Sequence, residues 1–294
     1  MHILMTGGTG FIGGALTERL AAAGHTVRIL TRQDREDREG IQYLQSLDQI
    51  PADSAIDGVV NLAGASLAER RWTAAYKREI LDSRLGTTRD LLRLVERLER
   101  KPGVLVSASA VGYYGHHNDE ILAEDAPSAP GFSSDLCHRW EALALQAEAF
   151  GVRVCRARLG VVLDQGGGAM EQMARPFRFG VANWLGDGRQ WLSWVHRRDV
   201  IAALVMLLER DDLSGAFNLT APEPVTSRGF CDAMKRQKKT LITAPVPAAV
   251  MRLMLGEMAD ELLLNGQRVV PERLQSAGFR FEFPELDRAL KDIL

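Results

Sequence analysis

Apolar and polar positions follow two different periods along the first two-thirds of the chain. Short apolar runs typical of buried strands alternate with longer stretches in which apolar residues recur at helical spacing. The pattern predicts strands at 2–6, 26–32, 58–64, 103–109 and 152–160, an extended run at 189–196, and helices at 11–23, 74–99, 134–150 and 199–210. Strands and helices that alternate in this way build βαβ units. We therefore predict an α/β fold with a Rossmann-type, doubly wound parallel sheet.

The regular alternation ends near residue 160, where the glycines of "DQGGGAM" (164–170) predict a loop. We predict an NAD(P)-binding Rossmann domain over 1–160 and a smaller, substrate-side α/β region over 161–294. A segment at about 190–220 could return to the first domain, so the boundary between the two regions is not sharp.

Composition and charge narrow the function classes. The 294 residues are 46% hydrophobic and 25% charged, with a net charge of −2. The chain has no surplus of basic residues, so its charge does not predict a nucleic-acid or anionic-membrane partner. Cys137, Cys155 and Cys231 show neither disulfide nor metal-site spacing. The chain opens directly on a strand-like run, and no apolar run reaches the roughly 18 residues of a membrane helix. We expect a soluble cytoplasmic protein in a reducing compartment, without a metal site.

A glycine-rich turn follows the first predicted strand. The run "TGGTGFIGG" places Gly7, Gly8, Gly10 and Gly13 between strand and helix, with Thr9, Phe11 and Ile12 among them. Glycines permit the tight turn and a close approach of backbone to a pyrophosphate, and the helix N-terminus offers unpaired N–H groups to that anion. The alternative is a tight βα turn without a ligand. The strand before and the helix after the run favour a dinucleotide site.

The end of the second predicted strand bears on which dinucleotide binds. An NAD site usually has a carboxylate there for the ribose 2′-hydroxyl, whereas this strand ends at Thr31 and Arg32. An arginine–phosphate hydrogen bond contributes about 1.5–3 kcal/mol, and Arg35 and Arg38 add positive potential. Arg32 could instead be solvated, or neutralised by the carboxylates at 34 and 36. We predict NADP (NADPH) in preference to NAD.

Several spaced motifs resemble one large family. "TGGTGFIG", "NLAG" (61–64), "SASAVGYYG" (107–115) and "WVHRRDV" (194–200) resemble the extended short-chain dehydrogenase/reductases, which include sugar-nucleotide epimerases and dehydratases. The resemblance implies that the backbone at Leu62, Ala63 and Gly64 flanks the cofactor, and that Ser109 contacts the substrate.

A narrower resemblance covers nearly the whole chain. "RWT" (71–73), "LCHRWE" (136–141) and "GDGRQWLSWVH" (186–196) resemble an atypical branch, the NAD-dependent epimerase/dehydratase family proteins of the YfcH type. The tail at about 245–294 resembles the small C-terminal domain of that branch. Because extended members often pair through two long helices, the resemblance also implies a homodimer.

The acid–base pair of the wider family is missing. Its working enzymes carry a tyrosine and, four residues later, a lysine on the helix after the fifth strand, so that the cation lowers the tyrosine pKa and holds the nicotinamide ribose. Here that spacing offers Leu136 with Trp140, or Cys137 with Glu141. No lysine lies between positions 101 and 235, so a shifted alignment does not restore the pair.

Other side chains could replace the pair. We predict Ser109 and Tyr113 as catalytic candidates, with His138 and Cys137 as weaker ones. Substrate contacts are predicted for Tyr114, Arg189 and His196. Each also has a structural alternative, such as packing, capping or a solvated surface position. The sequence therefore leaves two main hypotheses: an NADP(H)-binding epimerase/oxidoreductase-like enzyme acting on a small polar or sugar-nucleotide-like substrate, or a non-catalytic NADP(H)-binding sensor. A third, weaker hypothesis is a nucleotide-sugar binder without redox chemistry.

Overall fold

The computed structural model describes all residues, 1–294, and its centre is a seven-stranded sheet in which every neighbouring pair of strands is parallel. The strands of the chain are β1 (His2–Thr6), β2 (Thr26–Leu30), β3 (Ile41–Leu44), β4 (Gly58–Asn61), β5 (Val104–Ala110), β6 (Ile121–Leu122), β7 (Arg153–Leu159), β8 (Val161–Leu163), β9 (Val181–Leu185), β10 (Trp191–Leu192), β11 (Trp194–His196), β12 (Gly215–Leu219), β13 (Val225–Thr226), β14 (Ile242–Val246) and β15 (Arg268–Val269). The central order is β12-β7-β5-β4-β1-β2-β3. The Rossmann-type fold predicted from the sequence is confirmed.

Helices cover both faces of this sheet. They are α1 (Phe11–Ala22), α2 (Ala74–Arg97), α3 (Phe132–Leu145), α4 (Gly168–Arg178), α5 (Arg197–Glu209), α6 (Ser227–Gln237), α7 (Ala248–Leu255), α8 (Glu257–Ala259), α9 (Glu272–Ser276) and α10 (Leu286–Ile293). No helix is both long and apolar enough to span a membrane.

Alternate residues of the strands feed two separate apolar cores. On β1, Ile3 and Met5 pack with side chains of α1 and α5, whereas Leu4 packs with Leu91 and Leu94 of α2 on the opposite face. Because side chains alternate along a strand, a parallel sheet that is apolar on both sides needs helices on both sides. This explains the continuous apolar runs of the predicted strands.

Several local predictions differ from the structure. β2 ends at Leu30 and β4 at Asn61, two and three residues before the predicted ends, and the last turn of the predicted helix 134–150 is a 3₁₀ segment, Gln146–Phe150. The predicted loop 164–170 already contains the start of α4. The sequence reasoning also missed β3, which is short and half-buried.

The sheet is completed by a strand from late in the sequence. β12 pairs with β7 along Cys155–Leu159, and α5 packs beside α1 on the same sheet. The remaining short strands form two-stranded pairs, β8 with β11, β9 with β14, β10 with β13, and β6 with β15. A separate apolar core around Trp194 joins α4, α6 and α10 beside the sheet.

Candidate functional site

The turn between β1 and α1 leaves no room for side chains at its glycines. A Cβ on Gly13 would lie 2.1 Å from the carbonyl oxygen of Gly7, and a Cβ on Gly7 would lie 2.7 Å from the carbonyl carbon of Leu62. Gly7 also has a φ of 70°, which favours glycine. The backbone is therefore packed against itself and against the loop that follows β4.

The helix that follows this turn begins without a side-chain cap. Gly10 is its N-cap residue in an extended conformation, and the first turn carries no acidic residue. No protein group accepts a hydrogen bond from the amides of Phe11, Ile12 and Gly13. Unpaired amides at a helix N-terminus, reached through a cradle that a Cβ would fill, fit a pyrophosphate.

A buried set of hydrogen bonds ties this turn to the loop after β4. The Thr6 hydroxyl donates to Asn61 Oδ1 at 2.7 Å and accepts from the Ala63 amide at 3.2 Å. The Asn61 side-chain amide then donates to the Thr88 hydroxyl of α2 at 2.9 Å. These bonds place Leu62, Ala63 and Gly64 directly beside the glycine turn.

At the carboxyl end of β2, Arg32 is exposed and has no ion-pair or hydrogen-bond partner, whereas the Thr31 hydroxyl accepts from the Gln33 amide at 3.1 Å. Arg35 donates to the Gln33 side chain, and Arg38 pairs with Glu18. The carboxylates at 34 and 36 form no ion pair with Arg32. One guanidinium therefore remains available at this end of the sheet.

On α3, the buried carboxylate of Glu141 accepts several hydrogen bonds from neighbouring strands. Glu141, which is buried, accepts hydrogen bonds from Ser109 Oγ at 2.7 Å, from Arg158 Nε at 2.8 Å and Nη2 at 3.0 Å, and from Arg156 Nη1 at 3.1 Å. Burial alone would lower the pKa of Arg158, but the hydrogen bonds and charge of Glu141 raise it above its usual value. The Ser109 hydroxyl hydrogen is therefore already donated to the carboxylate of this ion pair.

The network continues to the edge strand. Arg158 Nη1 donates to the Tyr114 hydroxyl at 2.9 Å, and that hydroxyl donates to Asn218 Oδ1 of β12 at 2.7 Å. Burial raises the pKa of Tyr114 to about 12, although Arg158 opposes the shift. The backbone amide of Asn218 donates to Glu124 Oε1 at 2.9 Å. Tyr114 is thus enclosed, with both hydrogen-bonding roles of its hydroxyl filled.

Tyr113 differs from its neighbour. The Arg158 guanidinium lies 3.4 Å from the centre of the Tyr113 ring, and the His138 ring lies 4.2 Å away on centroids. The Tyr113 hydroxyl makes no hydrogen bond within the protein, and the residue is only half-buried. Of the two tyrosines after β5, Tyr113 is the one whose hydroxyl is free for a ligand.

Cys137 occupies the first position of one candidate replacement pair. It is buried, and burial raises the pKa of its thiol to about 11, with the Glu141 charge acting in the same direction. A thiol with that pKa is almost entirely protonated near neutral pH, and a thiol is a poor nucleophile. The geometry favours packing over nucleophilic catalysis for Cys137.

Two predicted substrate residues lie apart from this network. Arg189 is exposed and pairs with Asp187 at 2.9 Å. His196 is buried, stacks on Phe283 at 3.9 Å between ring centroids, and accepts from the Arg198 amide as the N-cap of α5. Burial lowers the pKa of His196, with nearby carboxylates opposing. Neither side chain bonds to Ser109, Tyr113 or Tyr114, so their substrate roles stay predictions.

The sequence reasoning considered Glu141 only as one half of a possible replacement pair, did not connect it with Arg158, and missed Glu124 and Asn218. The available signal was a set of three arginines, at positions 153, 156 and 158, within an otherwise apolar strand. Charges in a buried strand need counter-charges. The sequence does not say which carboxylate supplies them.

The glycine cradle, the open α1 N-terminus and the doubly wound sheet define a dinucleotide-binding α/β protein. Comparison with known proteins gives the family: residues 3–220 match the NAD dependent epimerase/dehydratase family, and residues 246–293 match a domain of unknown function, DUF1731. The chain belongs to this epimerase/dehydratase family and carries that C-terminal domain, as the sequence motifs predict.

Individual relatives support the assignment. The chain is 39% identical to the epimerase family protein YfhF of Bacillus subtilis over 300 residues, covering 100% of this chain and 98% of that protein. It is similar to the crystal structure of human epimerase family protein SDR39U1 (isoform 2) with NADPH, at a TM-score of 0.90 and 35% identity, covering 100% and 99% of the two chains. MoeE5 in complex with UDP-glucuronic acid and NAD shares the fold at a TM-score of 0.76 and 22% identity, covering 99% and 97%.

Proposed function

We propose that this chain binds NADP(H) with the pyrophosphate on the α1 N-terminus and the 2′-phosphate at Arg32. The tightly packed glycine turn carries the proposal, because it delivers the unpaired, uncapped amides of the α1 N-terminus at the end of β1. The unpaired Arg32 supports the choice of NADP, as does the NADPH bound by the human relative. Bound there, the cofactor supplies hydride-transfer chemistry.

We further propose that a small polar or sugar-nucleotide-like substrate binds at the carboxyl edge of β5, with Tyr113 as the acid–base. Of the hydroxyls of Ser109, Tyr113 and Tyr114, only that of Tyr113 is engaged by no protein group. The Arg158 cation against its ring keeps the residue in place. In this arrangement Ser109 and Glu141 act on Tyr113 indirectly, by holding Arg158.

The second candidate is an NADP(H) sensor without catalysis. It is favoured by the same network, because the Ser109 and Tyr114 hydroxyls both donate to groups inside the protein. A protein that retains the phosphate cradle but seals these hydroxyls can bind the cofactor without transferring a proton.

Titration with NADPH and NADH tests the cofactor proposal. The native protein is expected to bind NADPH about tenfold or more tightly than NADH, and Arg32→Ala is expected to remove that preference while leaving NADH affinity unchanged. Arg35→Ala is the matched control, since that side chain is engaged with Gln33. Equal native affinities for the two coenzymes would refute the NADP assignment.

Turnover separates enzyme from sensor. Protein loaded with NADP⁺ is mixed with UDP-glucose, UDP-glucuronic acid or simple sugars, and the absorbance of reduced nicotinamide and the epimeric products are followed. The enzyme proposal expects conversion of at least one compound, lost in Tyr113→Phe with NADPH affinity unchanged. NADPH binding that alters protease resistance, with no conversion of any compound, would favour the sensor. Conversion that persists in Tyr113→Phe would remove Tyr113 from the mechanism.

A further inference from the structure

The part-buried guanidinium of Arg84 has no counter-charge. Arg84 lies on α2, and its guanidinium donates only to backbone carbonyls, from Nη1 to Ile80 at 3.1 Å and from Nη2 to Ala65 at 3.0 Å. No carboxylate lies within ion-pair distance, and burial lowers the pKa of Arg84. The buried Arg158, by contrast, is neutralised by Glu141. Even partial burial of a cation without a counter-charge costs free energy, so its presence calls for an explanation.

Arg84 also has donors to spare. A guanidinium carries five N–H donors, and the protein uses two of them here. Nε has no acceptor within the protein, yet it is not among the fully buried unsatisfied atoms. The side chain is therefore half-enclosed, with free N–H groups that reach accessible space.

Its position is next to the loop after β4. A Cβ on Gly64 would lie 2.8 Å from Arg84 Cζ and 3.1 Å from Nε, so the guanidinium rests directly on this loop. It also lies 5.4 Å from the ring centre of Trp140. Trp140 stands on α3 at one of the two positions where the spacing would allow the missing lysine. The Arg84 guanidinium of α2 therefore lies beside a position of α3 at which the lysine of the wider family is absent.

The strand order says which half of a dinucleotide would meet this cation. β2, with Arg32 at its end, lies on one side of β1, and β4 lies on the other. With the pyrophosphate on α1 and the 2′-phosphate near β2, the nicotinamide half extends over β4 and β5. Arg84 is on that side, away from the adenosine half.

We propose that Arg84 binds the nicotinamide half of the cofactor, donating hydrogen bonds from Nε and its free Nη hydrogens to the ribose oxygens. The inference rests on the proposed function, since it presumes a nicotinamide coenzyme on the β1–α1 turn. Arg84 then supplies from α2 the cation that the missing lysine would have supplied from α3. The proposal assigns it a cofactor contact and no proton transfer.

A fragment of the cofactor tests the assignment without any turnover. Dissociation constants of NADPH and of 2′,5′-ADP, which lacks the nicotinamide half, are measured by calorimetry for the native protein, Arg84→Gln and Arg84→Met. Both variants are expected to weaken NADPH about tenfold or more and to leave 2′,5′-ADP within about twofold. Arg89→Gln is the control, an exposed arginine on the same helix that should change neither constant.

Thermal melting without ligand supplies the second readout. Because Arg84→Met removes a part-buried charge that has no counter-charge and keeps an apolar stem, its melting temperature should equal or exceed that of the native protein. Unchanged NADPH affinity, an equal loss of both ligands, or strongly lowered melting temperatures in both variants would overturn the proposal in favour of a structural role. Failure of the native protein to bind either ligand would instead refute the proposed function itself.

Discussion

At the β1–α1 turn, backbone amides have no partner within the protein, whereas beside α3 the Glu141 carboxylate and the Tyr114 hydroxyl are enclosed by hydrogen bonds from neighbouring side chains. The amides of α1 and the guanidiniums of Arg32 and Arg84 are available to a ligand. A few strands away, Glu141 alone accepts from Ser109 and two arginines. Both regions lie along the carboxyl edge of one sheet, so the difference does not come from the fold.

The contrast shows that α3, which lacks the tyrosine and lysine of the wider family, carries a buried ion network in their place. The α3 position that could have carried lysine in one register carries Glu141, which instead neutralises Arg156 and Arg158 of β7. A buried ion network of this kind holds strand and helix in register, but its groups are no longer free to exchange protons with a ligand. The glycine turn between β1 and α1, which we propose binds a pyrophosphate through its backbone amides, contributes no residue to this network.

The largest expected effect comes from opening the α3 network. Glu141→Ala leaves two arginines without their shared carboxylate, and removal of one partner of a buried pair costs about 3–5 kcal/mol of unfolding free energy. Urea denaturation measures it. Glu148→Ala, an exposed glutamate in the segment that continues α3, should change stability by no more than about 0.5 kcal/mol. A loss of similar size in both variants would show that the α3 region is not held by this network.

An intermediate effect is expected at the phosphate turn. In Gly13→Ala the new Cβ would lie 2.1 Å from the Gly7 oxygen, so the turn must open, at about 1–3 kcal/mol and with loss of measurable NADPH binding. Gly14→Ala is the control, because its Cβ would meet only the Gly8 oxygen at 3.9 Å and alanine favours a helix. Calorimetric titration and urea denaturation compare the two; NADPH binding retained in Gly13→Ala would contradict the proposed cradle.

The smallest expected effect concerns the buried thiol of Cys137 on α3. The pKa of Cys137 is raised from 9.0 to about 11, so the unfolded chain ionises first as the pH rises. This thiol therefore contributes stability that is fully present below about pH 9 and is lost as the pH rises towards 11. Cys137→Ala should unfold with a weaker alkaline dependence than the native protein.

Alkylation provides a second measurement of the same feature. Peptide mapping after treatment at neutral pH should find Cys137 unmodified in the native protein and modified in urea. Rapid labelling of the native thiol would show that this face of α3 is open, and the contrast between the two regions would then be wrong.

Sequence reasoning succeeded where a local pattern is enough. The glycine turn is defined by nine consecutive residues, and the strands of the doubly wound core are marked by their own apolar runs. It failed at β3, whose four residues are mostly half-buried and carry no apolar run. Glycines at 166–168 were interpreted as loop, although Gly167 and Gly168 lie at the start of α4.

The α3 network could not be predicted for a different reason. Its members come from a helix, three strands and a connecting loop, and only the packing of β12 against β7 brings Asn218 to Tyr114. The pairing of Glu141 with Arg158 depends on which face of α3 turns towards β7. Sequence reasoning named Ser109, Tyr114 and Glu141, but nothing in the sequence shows which groups they contact.

The late arrival of β12 also shapes how this chain must be made. Until Gly215–Leu219 has left the ribosome, the outer row of amide and carbonyl groups on β7 is bare. A bare parallel edge is a template on which another nascent chain can dock. Between completion of β7 and emergence of β12, this edge of the newly synthesised sheet can therefore pair with another chain.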